Sequence, residues 1–257
     1  MATKAPAAKT TAVVTWKEKL AAAAQRTLKR EAPSSAKNIK FNAAGVMVDG
    51  VQQPGGFLDV IILESMEANT FYPGDYDPDN PSAPECFAFG GFDEADTDSL
   101  VPHDDAADKQ SKDCDSCEQN EWGSAAKGKG KACKNSRWLA CIRAEDLEDI
   151  DGAELRIIKL PVTSVKVWNA YARNVLAVKM ELPPYAVVTR CGSVPDPKSQ
   201  YKATFTFEEE VEMTDALFES LQLRIKEAQG ILQVPFAPSE PKPVAPPKNS
   251  KLTKGRK

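Results

Sequence analysis

Histidine is nearly missing from this chain: His103 is the single example in 257 residues. No His-rich ligand set, no phosphate-cradling loop and no Ser/His/Asp arrangement can be assembled from the sequence, so the usual frameworks for hydrolysis and phosphoryl transfer are absent. Long apolar runs are missing too. None is long enough to cross a bilayer, and the start, Met1-Ala2-Thr3-Lys4-Ala5-Pro6, lacks the apolar stretch of a secretory signal. A soluble, intracellular binding protein is the expectation, not an enzyme. Carboxylates are plentiful, for example Asp75, Asp77 and Asp79, but Pro78 and Pro81 set them in turn-like sequence and no EF-hand order of ligands surrounds them.

What is present is unevenly spread. The formal charge of −4 sums separate blocks. Residues 59–113 are heavily acidic, with Asp93-Glu94-Ala95-Asp96-Thr97-Asp98 and His103-Asp104-Asp105. A basic stretch follows directly: Lys127, Lys129, Lys131, Lys134 and Arg137. The last residues are basic as well, from Lys242 to Lys257. Such blocks either present local surfaces to charged partners or are simply solvated loops.

Residues 1–12, of Ala, Lys, Thr and Pro, read as a flexible arm, and 237–257 as a disordered basic tail, leaving one domain over 13–236. Within it, Val14 to Arg30 carries a helical repeat. Ile39–Phe41 and Val46–Val48 flank a turn at Ala44-Gly45; after Pro54-Gly55-Gly56, the run Phe57 to Leu63 predicts a strand buried on both faces. Residues 69–122 form a Pro-, Gly- and Asp-rich excursion too long for a compact domain unless something pins it. Ser136–Arg143 and Ala153–Leu160 read as strands. Thr163 is expected to cap a helix carrying Val165, Trp168, Tyr171, Ala172 and Val175, ended by Pro183-Pro184. Tyr185–Arg190 and Tyr201–Glu208 alternate as strands joined through Gly192 to Pro197, and Thr214 caps a last helix with Leu217, Leu221, Ile225 and Ala228 on one face. The expected fold is α+β, mainly β: an OB-like or other small barrel with a zinc-pinned loop insertion and two to three helices.

Six cysteines carry the sharpest signal, because four of them fall between Cys114 and Cys141. In a reducing compartment such clustering points to metal before disulfide. Cys114-x-x-Cys117 is a two-residue knuckle that turns two thiolates toward one ion, and Cys133 returns after a stretch containing Gly123, Gly128 and Gly130. Zinc needs four such donors at about 2.3 Å in a tetrahedron. Cys86 is the favoured fourth, since it lies at the far end of the acidic excursion and would order it; Cys141 and His103 are the alternatives. A redox pair is the competing reading of one CxxC, without a thioredoxin-like βαβ pattern around it. A closed all-cysteine set makes the zinc structural rather than catalytic. Lys127, Lys129, Lys131, Lys134 and Arg137, interleaved with Trp122 and Trp138, have the composition of a single-strand binder, in which cations follow phosphates and aromatic rings stack on bases. The bland reading packs both tryptophans over the zinc site and leaves the lysines solvated.

Cys114-x-x-Cys117-x-x-Asn120-x-Trp122-Gly123-Ser124, then Gly128-Lys129-Gly130-Lys131-Ala132-Cys133 and Arg137-x-Leu139, resembles a family of tailed-bacteriophage proteins. Pro84-x-Cys86, Leu160-Pro161-Val162-Thr163-Ser164, Trp168 and Tyr171 extend the resemblance over roughly residues 39 to 236. It implies a protein of the phage replication and recombination region, working in the cytoplasm of the infected host. Its expected partners are single-stranded DNA and phage replication or recombination proteins, with oligomers open. A phage structural or host-interaction protein, using zinc only as a staple, is the alternative.

Overall fold

Val60, Ile61, Ile62 and Leu63 have no exposed face to offer water, and this dictates where their strand must lie. In the structure, a computed structural model that describes residues 38–74, 82–92, 100–234 and 236, they sit mid-sheet in β4 (Phe57–Phe71). One edge of β4 pairs antiparallel with β6 (Lys134–Arg143) along most of its length. Its other edge is shared: β8 (Val187–Asp196) takes the first half, from Phe57 opposite Gly192 to Val60 opposite Thr189. The second half is taken by β5 (Cys86–Phe89), with Ala68 opposite Phe89 and Phe71 opposite Cys86. A bulge between Ile62 and Glu64 lets the unbroken apolar run re-aim its side chains between two cores.

The sheet path is β3 (Val51–Gln52), β2 (Gly45–Val48), β1 (Asn38–Asn42), β7 (Arg156–Leu160), β6, β4, β8 and β9 (Gln200–Glu210). Among the described residues only β1 and β7 pair in parallel; the other ladders are antiparallel. The protein is therefore α+β, mainly β, with a mixed, open sheet. The hydrogen-bonded path does not close, but β1 and β2 approach β8 and β9. Phe41 of β1 meets Tyr201 and Phe205 of β9, each at 6.5 Å between ring centroids. Ser193 Oγ donates to the backbone carbonyls of Asn42 and Gly45. Gly45, at φ +124°, is indispensable there: a Cβ would stand 2.3 Å from the Gly56 carbonyl oxygen.

Two helices seal the two faces. On one, α1 (Val162–Ala170) continues directly into a π-helical segment, Tyr171–Met180. Trp168, Tyr171 and Leu176 pack there with Ile62, Leu139, Cys141 and Cys191. Tyr171 Oη and Thr189 Oγ1 share a buried hydrogen bond of 2.8 Å. On the other face, Leu221, Ile225, Ala228 and Leu232 of α2 (Asp215–Leu232) cover Ile61, Met66, Ala140 and Ile142. None of the described helices is long and apolar enough to cross a membrane.

Several expected elements are extended or moved. The strand expected to end at Leu63 runs on to Phe71 because β6 continues to pair with it. The excursion from 69 contains β5, so strand pairing as well as any other tie holds it. Pro161, without a side-chain cap bond, occupies the position expected for Thr163, and buried Ser164 instead accepts a bond from Ala203 N across to β9. Gly192 to Pro195, read as a connection, is strand; beyond Gly192 only β9 pairs with it, and such an edge tolerates proline. The turn follows at 197–199, where Asp196 accepts from Ser199 N and Oγ. Thr214 does cap the last helix, accepting from Leu217 N at 3.2 Å. The helix expected at Val14–Arg30, the arm, the tail, Asp75 to Asp79 and the acids of 93–98 lie outside the described residues.

Candidate metal centre

The end of β4 collects the cysteines. Phe71, its last residue, pairs with Cys86 on one side, while Cys133 immediately precedes β6, whose Lys134 pairs with Thr70 on the other. Phe71, Cys86 and Cys133 pack together as a small separate cluster. The knuckle is brought beneath this strand end by backbone bonds: Cys114 N donates to Leu100 O at 2.7 Å, and Cys133 N to Gln119 O at 2.8 Å. Segment 103–108 runs beside β5, with His103 N donating to Phe87 O and Asp108 N to Glu85 O.

Cys86, Cys114, Cys117 and Cys133 are all buried and unpaired by disulfide. All four line one cavity of about 10 Å³, beside Asn69, Phe71 and Asn120. That is room for about one small sphere. Among the described residues no group of three His, Cys, Asp or Glu side chains is set as a ready-made metal site; what the thiols share is the wall of this cavity. Burial pushes the Cys133 thiol up to about 12, with Cys114, Cys117 and Cys86 adding repulsion and Lys131 opposing it. Burial likewise raises Cys86 and Cys114.

The fit to a cation rests on the donors and on what holds them. Gln110 N–H supports the Cys86 sulfur and the Asn69 side chain supports that of Cys114, the outer-shell bonding expected around thiolate ligands. Asp113 Oδ1 and Oδ2 accept from Ser116 N and Oγ, both at 2.7 Å, bending the chain through the knuckle; those two bonds hold its carboxyl below the usual range. Asn120 ties the lobe together. Its Nδ2 donates to Cys114 O at 2.7 Å, and its Oδ1 accepts from Lys131 Nζ and Asn135 Nδ2, both at 3.0 Å. Asn135 also donates to Asn69 Oδ1 at 2.6 Å. Asn120 and Ser124 lie between Cys117 and Cys133, and their work as braces was not readable from the cysteine spacing. Ser124 Oγ contacts the carbonyls of Gln119 and Glu121 and accepts from Ala132 N.

The two alternative ligands are elsewhere. Cys141 lies in the β-sheet core with Cys191. His103 stacks on Phe87 at 5.0 Å, and its Nδ1 accepts from Asp105 N; neither residue lines the cavity.

Segment 123–132 projects from the lobe as a closed hairpin, in which Gly123 N and Ala125 N both donate to Gly130 O. Trp122 stands 78% exposed at its base, and Lys127, Lys129 and Lys134 are exposed. Lys134 Nζ donates to Lys131 O at 2.9 Å, and other members of the expected set are likewise held within the protein. Lys131 is bound to Asn120. Arg137 is ion-paired with Glu67 on β4. Trp138, only 6% exposed, packs against Phe89 and Phe236 with Lys159 Nζ 3.7 Å from its ring centroid. Trp138 is thus a core residue, a correction to its expected place as a stacking platform. No family model, no curated protein and no solved structure matches the chain.

Proposed function

We propose that this chain binds single-stranded nucleic acid, as a single-stranded-DNA-binding or replication accessory protein of a bacteriophage acting in the host cytoplasm. A structural zinc ion on Cys86, Cys114, Cys117 and Cys133 fastens its basic hairpin to the sheet. The observation that carries this reading is one juxtaposition: a hairpin bearing exposed Trp122, Lys127 and Lys129 springs from a lobe whose four buried thiols line a single small cavity. Zinc, when bound, supplies the cross-link that a lobe with so little apolar core otherwise lacks. The residues do the rest. The four cysteines would hold the ion as thiolates, with the Asn69 side chain and the Gln110 N–H supporting two of the sulfurs and Lys131 offsetting the negative charge. The approach of β1 to β9 favours an OB-like curl of the open sheet. The proposal makes the chain a binding protein without catalytic residues.

Binding of this kind weakens with salt. Titration of labelled oligothymidylate should give a log–log slope that falls by about 0.7 for each cation removed. Lys127→Ala with Lys129→Ala should lower it by roughly 1.4 on that basis. Trp122→Ala should cost about 1–3 kcal/mol if a base stacks on the ring. Absent or salt-insensitive binding would instead favour a phage structural or host-interaction protein, for which the exposed acids Asp104, Asp105, Asp108 and Asp115 provide a docking surface.

A further inference from the structure

Between Arg156 and Met180 the chain carries five cations and no carboxylate, within a protein whose acids outnumber its bases. Two of the five are engaged: Arg156 pairs with Asp49 and Glu154, and Lys159 lies over Trp138. The other three, Lys166, Arg173 and Lys179, are exposed on α1 and its π-helical continuation. Among the described residues none of them enters an ion pair. Asn169 and Asn174 are exposed along the same segment, and the next acid is Glu181, in the left-handed turn that ends it. An exposed run of cations and amides that carries no carboxylate of its own is complementary to a polyanion.

Its position says which polyanion. Leu160, the last residue of β7, pairs with Arg137, so α1 departs from the same end of the β6–β7 pair at which the chain enters from the hairpin. Arg137 lies three positions along β6 from exposed Lys134, roughly 10 Å. One extended strand could therefore follow hairpin and helix in succession. A lipid surface fits less well. The large apolar side chains Trp168, Tyr171 and Leu176 point into the core, and among the exposed large hydrophobics the segment shows only Val162 and Val178, without the exposed aromatic or leucine face that interfacial helices bury. The unusually long π-helical stretch is consistent with a segment kept for function, since such geometry is rare outside short insertions.

We infer that the helical arm Val162–Met180 is a second phosphate-contacting surface, through Lys166, Arg173 and Lys179, on which the backbone of a single strand lies after passing the hairpin. This rests on the single-strand reading above. The test compares the full chain with Lys166→Gln/Arg173→Gln/Lys179→Gln and with Lys127→Ala/Lys129→Ala, each titrated with labelled oligothymidylate over a range of salt. All three substituted side chains are exposed, so thermal melting should not move, which verifies folding. The expected result is a log–log salt slope smaller by about two in the triple variant, with a separate decrease in the hairpin variant. Unchanged binding by the triple variant, while the hairpin variant weakens, overturns this inference and leaves the single-strand reading standing. No binding by the unaltered chain overturns both. Co-sedimentation with phosphatidylserine vesicles that is lost in the triple variant, without any change toward oligothymidylate, overturns the inference and assigns the helix to membranes.

Discussion

Asn120 shows how much one side chain does in this lobe. It satisfies a knuckle carbonyl, Lys131 and Asn135 at once. Asn120→Ala would take this partner from the Cys114 carbonyl and the Lys131 ammonium, and a cost of roughly 1–3 kcal/mol is expected from urea unfolding. Two other thiols are informative for the opposite reason. Cys141 and Cys191 are fully enclosed in the sheet core, and burial pushes Cys141 up to about 12 and Cys191 well above its ordinary value. The folded state therefore keeps them neutral, whereas the unfolded chain ionises near pH 8.5. Their contribution is fully present below that unfolded value and is lost as pH rises toward the folded one. Urea midpoints should fall from about pH 8.5 upward, and Cys141→Ala, less stable at neutral pH, should show a shallower fall. An identical pH slope in the variant would contradict the assignment.

At the scale of elements, turns and caps hold the sheet ends in place. Gly45 lets the β1–β2 hairpin press against Gly56. Gly45→Ala combines a left-handed strain with a backbone clash, so a loss of at least about 1–3 kcal/mol is expected by thermal or denaturant unfolding. Thr214→Ala removes a helix cap bond and should cost about 1 kcal/mol. Strands β1, β2, β6 and β7 and helix α2 were legible in the sequence because each depends on local alternation or a local cap. What escaped depends on partners far along the chain. The extension of β4 to Phe71 needs β5 and β6, and Arg137 is claimed by Glu67, 70 residues earlier. Trp138 reads the same in sequence whether it faces solvent or core; only the arrival of Phe89 and Phe236 decides it. For the candidate site, the clustering of cysteines was visible in the sequence; that Cys86 lines one cavity with Cys114, Cys117 and Cys133 depends on the pairing of β5 with β4. The asparagine braces were not visible, since amides carry no spacing rule comparable to a cysteine knuckle.

For the whole molecule, the strand end at Phe71 joins a well-packed sheet to a lobe with few apolar contacts of its own. If zinc fastens that lobe, chelation should loosen the hairpin and abolish oligonucleotide binding while leaving the two sheet cores folded, and hydrogen exchange should localise the change to residues 100–133. The most direct measurement is X-ray absorption at the zinc edge on purified full-length protein, with metal content determined in parallel. The expected spectrum has four sulfur scatterers at about 2.3 Å around one zinc per chain, with one sulfur lost in Cys86→Ser. A first shell of nitrogen or oxygen, or protein that folds and binds with no stoichiometric zinc, would contradict a four-thiolate centre at the end of β4.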